Sequence, residues 1–529
     1  MNKKDIIAIL ERLKILLELH DENSFKINAI KSGIFKFERG KDTELGKGML
    51  AKVEEINCTG KLQEEEILRN QTPVGLFEIL NIPGLGPKKV RKLWKDLGVE
   101  TQEELYAACL ENKLVRLNGF GTKTQDAIRQ KIIFKTKNAH LFHYALIEPL
   151  AIKLLESIRS HPGVSKAEIT GPMRRKCELL EQIDILICSK EQINIAIADE
   201  LQILCPINLM YTQEQSFAWD WFISTGFKLH VEMVDATENN YSTEQAIYEK
   251  QGLPYIEPEL REGGNELKWA KSKSLPTLIV PADIQGLLHN HSNYSDGKNT
   301  LMEMALACKE LGYNYLGISD HSKSATYAGG LSPLKVEEQI IEIDKLNVEL
   351  APFKIFKGIE SDILPNGDLD YESAILEKFD FVVASIHSNL NMDEGKATLR
   401  IIKAVENPYT TILGHPTGRL LLNRMGYPID HTKIIDACSA NGVAIEINAN
   451  PHRLDLDWRW INYCIQKQVF ISINPDAHQT KGLTDVQFGI HMARKGGLTK
   501  GECLNALSLS EMESYFLNRK PKINRNANH

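Results

Sequence analysis

Residues 286–291 read GLLHNH and residues 469–478 read VFISINPDAH. Each is a short apolar run that ends in an alternating pair of metal-capable side chains, His289 with His291 and Asp476 with His478. Successive side chains of an extended segment point to opposite faces, so both members of a pair lie on one side and can reach one ion. Between these stretches five more runs end in metal-capable residues: YLGISDH at 315–321, IFKGIE at 355–360, FVVASIH at 381–387, TILGHP at 411–416 and VAIEIN at 443–448. Helix-like segments separate them. Repeated strand-then-helix order implies parallel strands joined by crossover helices, and the regular count predicts a barrel whose functional residues gather at the C-terminal ends of the strands.

The candidate metal ligands are His289, His291, Asp296, His321, Glu360, His387, His415, Asp476 and His478. One such histidine alone is most simply a satisfied core group. Six histidines and three acids, each placed after an apolar run, are not explained that way. Imidazoles with carboxylates suit zinc, manganese or iron, and a ligand set without thiolate favours hydrolytic over purely structural metals. Nine cysteines are scattered without a CxxC pair, which argues against a disulfide framework and a cysteine zinc site.

The segments LLHNHSNYSDG, ISDHS, GIESDIL, ASIHS, GHPTGRLL, EINANPHRLDL and NPDAHQT resemble the polymerase-and-histidinol-phosphatase (PHP) domain over residues 283–525. The resemblance implies a distorted (β/α)7 barrel with a three-metal centre of manganese or zinc, in which Glu360 bridges two ions and Asp476 also serves catalysis. Such ions activate water, align a scissile phosphate and neutralise the leaving oxygen. Arg419 in HPTGR and Arg453 in NPHRLDL are expected to clamp the phosphate, because a guanidinium matches two phosphate oxygens at once.

A chain of 529 residues exceeds what one core usually supports, so three to five structural units are expected. The net charge of -7 divides unevenly: residues 1–140 hold 25 Lys+Arg against 20 Asp+Glu, net +5, leaving -12 for the remainder. A basic front and an acidic rear suit a phosphate-gripping module joined to a carboxylate-rich metal site. Residues 3–38 repeat apolar positions at helical spacing. Three segments, 44–56, 82–93 and 117–128, then place a Gly-x-Gly before a lysine-bearing helix: Gly46 and Gly48, Gly84 and Gly86 with Lys88, Gly119 and Gly121 with Lys123. The first has Lys47 where the others have an apolar residue. Glycine permits the tight turn, and the helix start aims unpaired N–H groups outward. The pattern resembles the helix-hairpin-helix, which implies grip on the DNA backbone without base reading.

Residues 139–236 mix helix and strand runs, among them 166–170, 183–188 and 228–234. Residues 237–282 are polar and Pro-containing, and are expected to be a linker with little core of their own. The whole order is similar to bacterial family X DNA polymerases with a C-terminal PHP domain, most clearly in NKKDIIAILERLKILLELHDENSFKINAI, GPMRRKCELLEQIDILI and GLPYIEPELREG. That resemblance implies a multidomain α and α/β chain: a helical domain with the first hairpin (1–60), a fingers-like domain with two more (61–138), a nucleotidyltransferase-like α+β palm (139–236), a reduced thumb (237–282) and the barrel.

The polymerase site departs from the family pattern. Pro172 stands at the serine position, Arg174 and Arg175 are kept, Gln182 replaces the first aspartate, Asp184 survives, and Glu232 occupies the third acidic position on an expected strand. Neutral Gln182 binds magnesium poorly, and the longer Glu232 displaces its oxygen, although magnesium at the residual palm site stays open. Too few residues follow Asp235 for the family's thumb. The expectation is therefore a DNA-end-processing phosphodiesterase, a 3'-5' exonuclease acting on gapped or single-stranded ends, with a doubtful polymerase. An active gap-filling polymerase with an associated exonuclease and a non-catalytic DNA scaffold are the alternatives. A small-molecule phosphatase fits poorly with three hairpin segments. The longest apolar stretches fall short of the roughly 20 residues that a membrane helix needs, and MNKKDIIAILERL lacks signal-peptide character, so a cytoplasmic monomer without membrane partners is expected.

Overall fold

The computed structural model describes residues 1–40, 42–191, 205–236 and 239–519. The chain divides into two compact units, Met1–Ala139 and His140–His529.

The first unit is helical. Helix Lys3–Leu19 starts on the Asn2 side chain and buries Ile6, Ile9, Leu10, Leu13, Leu16 and Leu17, a stripe at three- and four-residue spacing. Against it pack Ile30, Ile34 and Phe37 of helix Ser24–Glu38 and Met49, Val53 and Ile56 of helix Lys47–Thr59. A second cluster joins helices Val74–Leu80, Pro87–Leu97, Gln102–Leu110 and Thr122–Lys137 through Leu76, Val90, Leu105 and Ile128. Leu19 belongs to this second cluster, so the two expected helical domains share packing within one unit.

Two hairpin turns are alike. Gly84 and Gly119 take φ of +89° and +94°, values that disfavour any residue with a Cβ, and Gly86 and Gly121 then cap the following helices. Each turn is braced by a lysine of the other hairpin: Lys131 donates to the Pro83 carbonyl, and Lys92 donates to that of Asn118. The first segment differs from its expectation. Gly46 caps helix Lys47–Thr59 as Gly86 and Gly121 cap theirs, but Gly48 lies inside that helix, and the position two before the cap is Glu44. The expected glycine pair is thus displaced by two residues, and the left-handed turn glycine is missing there.

The second unit begins with the palm-like segment. Its strands are β1 (Phe142–His143), β2 (Val164–Ile169), β3 (Leu179–Leu180), β4 (Ile183–Ser189) and β5 (Ile207–Thr212). In the sheet β2-β4-β5, β2 runs antiparallel and β5 parallel to β4, while β1 and β3 pair separately. Helix Tyr144–Arg159 sets Ile147, Ala151 and Ile158 into the cluster that holds Ile183, Ile185 and Ile187.

Residues Lys228–Val234, expected as a strand, form an α-helix. The buried side chains are His230 and Val234, four apart, which is a helical repeat. Residues 237–282 also correct their expectation. Helices Glu244–Lys250 and Glu266–Lys271 lie within them, and Tyr241, Ile247, Tyr248, Leu253, Ile256 and Leu267 share a core with Phe222. Wholly buried Arg261 is paired with Glu244 at 2.7 Å.

The barrel strands are β6 (Gly286–Leu287), β7 (Tyr315–Ile318), β8 (Lys354–Asp362), β9 (Phe381–Ser385), β10 (Ile412–Leu413), β11 (Ala444–Asn448) and β12 (Ile471–Asn474), all parallel, in the order β6 to β12. Side chains close the seam between β12 and β6. Asn505 donates to the Gly286 carbonyl (2.9 Å) and to Asn474 Oδ1 (3.1 Å), and Asn474 Oδ1 accepts the Leu288 N–H (3.2 Å). Residues Asn290 and Ala477 then form a short parallel bridge just above. The interior is filled by Tyr315, Phe356, Phe381 and Phe516, the last from helix Leu509–Arg519. Phe381 occupies space left by two glycines: a Cβ on Gly358 or Gly317 would fall 2.2 or 2.7 Å from its ring. Among the described residues no helix is long and apolar enough to cross a membrane.

Candidate metal centre

All nine expected ligands converge at the C-terminal ends of the barrel strands. Glu360, on β8, is central and 1% exposed. Its Oε1 lies 3.0 Å from His415 Nε2, 3.2 Å from His387 Nε2 and 3.4 Å from His289 Nε2, while Oε2 lies 2.9 Å from His321 Nδ1. Asp476 Oδ1 lies 3.0 Å from His291 Nε2, and Asp296 Oδ1 lies 3.3 Å from His478 Nε2. Donor atoms gather in three overlapping groups: His289, His291 and Asp476; His321, Glu360 and His387; and His291, Asp296, His321 and His478. Two ligands stand on left-handed backbone, His415 at φ +21° and Asp476 at +52°, a strain of order 1–3 kcal/mol that the surrounding structure must hold.

The electrostatics suit a cation. Burial alone lowers an imidazole pKa, yet Glu446, Glu360 and Asp476 hold that of His289 well above its ordinary value. His387 is raised to about 10 against its burial by Glu360 and Asp362, and His478 to about 9 by Asp296 and Asp476. His291, buried beside His478 and His321, is lowered to about 3. Glu360 and Asp476 stay ionised despite full burial because these imidazoles surround them. Buried His289 Nε2, His321 Nδ1 and Glu360 Oε2 make no hydrogen bond, although all three residues belong to these donor groups. A divalent ion satisfies such atoms and displaces the imidazole protons, so the residues fit the metals expected of them.

Two further acids orient the ligands, and the sequence reading named neither. Glu446 on β11 accepts from His289 Nδ1 (2.7 Å), from the His415 N–H (2.8 Å) and from Asn474 (3.0 Å). Asp362 lies 2.5 Å from His387 Nδ1. A signal existed for both: Asp362 follows Glu360 by two residues on one strand, and Glu446 stands within the quoted run VAIEIN.

The two arginines divide. Arg453 is half-buried, with Nε 3.6 Å from Asp476 Oδ2. Arg419 has its guanidinium consumed elsewhere: Nε donates to the Arg453 carbonyl (2.9 Å), Nη1 to Asp457 (2.7 Å) and Nη2 to the Leu454 carbonyl. It braces the loop that carries Arg453, and three of its five N–H donors are engaged there rather than turned to the ligand set.

The palm residues do not converge. Asp184 Oδ1 accepts amide N–H groups from Gln182 (2.7 Å) and Asn208 (2.8 Å), Asn208 being its register partner on β5. Its other oxygen packs where a Cβ on Gly171 would fall, 2.6 Å away. Arg174 is held by Glu244 and lies over the Trp221 ring, and Arg175 is paired with Glu262 at 3.0 Å. Glu232 is exposed on its helix and faces Lys228 at 3.7 Å, so it supplies no carboxylate beside Asp184. Pro172 opens the short helix Gly171–Arg174 that follows β2.

In the first unit, the helices after Gly46, Gly86 and Gly121 have no side-chain cap, unlike those that begin at Asn2 or Thr101. A Cβ at any of the three, or at Gly48, would meet nothing within 4 Å. Internal packing therefore does not require glycine there. Lys88 and Lys123 are exposed beside them.

Comparison with known proteins agrees with this layout. The PHP domain family matches residues 288–450, and the SAM-like helix-hairpin-helix tandem matches residues 77–132, which takes in the second and third hairpins but not the first segment. The DNA polymerase/3'-5' exonuclease PolX of Bacillus subtilis is 33% identical over an alignment of 568 residues, covering 98% of this chain and 99% of that one. A probable phosphatase of Thermoanaerobacter sp. is 29% identical over 249 residues, 44% of this chain and 95% of the relative. A solved histidinol phosphate phosphatase from Lactococcus lactis, 19% identical, covers 41% of this chain and 94% of its own at a TM-score of 0.34. Matched end to end by that Bacillus relative, with a paired helix-hairpin-helix in front and a PHP barrel behind, the chain belongs to the bacterial family X DNA polymerases that carry a C-terminal PHP domain.

Proposed function

We propose that the protein is a metal-dependent phosphodiesterase that trims DNA ends in the 3'-5' direction, and that its polymerase module holds DNA without extending it. One contrast carries this reading: Glu360 sits among four imidazoles, whereas Asp184 is blocked by the amides of Gln182 and Asn208. Phosphoryl transfer by a palm needs several carboxylates around two magnesium ions, and a single capped aspartate supplies neither the charge nor the free oxygens.

His289, His291 and Asp476, then His321, Glu360, His387 and His415, and finally Asp296 with His478 would hold manganese or zinc ions. When bound, these ions supply Lewis acidity and make water a nucleophile at neutral pH. The chain's own residues do the rest. Glu446 fixes the His289 ring with Nε2 toward the pocket, and Asp362 does the same for His387. Arg453 offers a guanidinium at the edge of the ligand set, where it can take a phosphate oxygen. Paired hairpins with uncapped helix starts suit phosphates of a DNA strand regardless of base. The name of the Bacillus relative, which includes a 3'-5' exonuclease, supports the polarity.

The test incubates the full chain with manganese and 3'-labelled single-stranded or gapped DNA. Release of mononucleotides that disappears in His289→Ala and His478→Ala is expected. No release, or release unchanged in both variants, overturns the reading. Primer extension by the native protein that is lost in Asp184→Ala would restore a working polymerase.

A further inference from the structure

We infer that Tyr327 is a stacking platform for the nucleobase at the DNA terminus presented to the metal centre, an inference that rests on the DNA-end reading of that site. Isolated surface aromatics are common and need no function. Tyr327 differs by its position, its mounting and its surroundings.

Tyr327 is 71% exposed, yet its ring centroid lies 6.3 Å from that of buried His321, a candidate ligand. The loop that carries it is closed at its base by the bridge between Ser322 and Leu331 and by the Leu331 N–H on the His321 carbonyl (2.8 Å). Ser324 ties the same loop to Asp370 (2.7 Å) and to Asp362 (2.9 Å), the acid that orients His387. Ala325 and Ala328 are buried on either side. Gly330 turns back so tightly that a Cβ there would fall 2.0 Å from the Ser322 carbonyl oxygen. An exposed ring on a backbone this constrained loses little freedom when it binds.

Desolvation, then the carboxylates of Asp362, Glu360 and Asp296, push the Tyr327 hydroxyl pKa up, while Arg453 opposes them. What the residue offers is a flat apolar face beside the pocket, on the side of His321 and Asp362. A terminal nucleotide whose phosphate enters the metal centre must place its base within a few ångströms of that phosphate, and any base can stack on tyrosine, so the contact suits a nuclease without sequence preference.

The experiment compares native protein, Tyr327→Ala and Tyr327→Phe on two single-stranded oligonucleotides with manganese, one ending in a normal 3' nucleotide and one in an abasic tetrahydrofuran nucleotide. A second, turnover-independent readout is the fluorescence of 2-aminopurine at the 3' terminus, which stacking quenches. Expected is a loss of about 5- to 100-fold in kcat/KM for the base-bearing end in Y327A, a similar loss for the native protein on the abasic end, and no further loss when the two are combined. Y327F should match native protein in both assays, and quenching should vanish in Y327A alone. Equal slowing of both ends by Y327A, equal native rates on both ends, or unchanged quenching in Y327A each overturn the inference. Quenching that depends on Tyr327 without hydrolysis of either end would leave the platform standing and sink the proposed hydrolysis.

Discussion

At the residue scale, the nine ligands are only part of the centre, because an imidazole binds a metal better when its second nitrogen is held and fixes the ring. Glu446 does this for His289 and at the same time holds the His415 N–H. Glu446→Gln keeps the size but exchanges a buried charge for an amide, so metal affinity should fall about 10- to 100-fold, as read by calorimetry against a competing chelator. Unchanged affinity would show that Glu446 only packs. Both Glu446 and Asp362 were within reach of the sequence, since strand periodicity puts Asp362 beside Glu360. What one-dimensional spacing could not show is the fate of a long side chain. Arg419 and Arg453 look equivalent as HPTGR and NPHRLDL, yet two backbone carbonyls and Asp457 capture the first.

At the scale of elements, the repeated apolar run followed by a histidine or acid was enough to predict the barrel and its parallel order. The helix Lys228–Val234 was not legible, because a seven-residue segment alternating in part as KLHVEMV satisfies period two nearly as well as 3.6. The first Gly-x-Gly misled for a related reason: glycines two apart say nothing about which one caps the helix. For the two true hairpins, Gly86→Val and Gly121→Val should leave stability within about 0.5 kcal/mol, since no atom of the chain stands in the way, while DNA binding weakens several-fold by anisotropy. Removing Lys88 and Lys123 together should lower affinity evenly across sequences and flatten the salt dependence by about two phosphate contacts. Inside the barrel, Phe516→Ala should destabilise the second unit by about 3–5 kcal/mol in urea unfolding, because its ring is buried against those of Phe381, stacked at 5.3 Å, and Phe356, edge-on at 5.1 Å.

At the scale of the molecule, the palm-like segment and the barrel share one hydrophobic cluster, and their junction carries titratable groups. His491 lies edge-on to Tyr144 and Phe488, facing Lys176, Arg494 and Lys495, and burial followed by these charges lowers its pKa to about 3. In the unfolded chain it titrates near 6.5. Below that value the unfolded chain binds a proton that the folded chain refuses, so stability falls as pH drops from 6.5 toward 3 and is insensitive to this group above. Native protein should therefore lose up to about 2 kcal/mol more than His491→Gln between neutral pH and about pH 5, measured by urea midpoints. An identical loss in both would place the acid sensitivity elsewhere.

The floor of the barrel has a consequence for synthesis. Strand β6 is made more than two hundred residues before helix Leu509–Arg519, yet Phe516 fills the space beneath it and Asn505 fastens it to β12. Until that late stretch has left the ribosome, the nascent barrel has an open bottom and an unzipped side. The histidines already translated therefore lack the closed frame that holds the nine ligands together in the finished barrel.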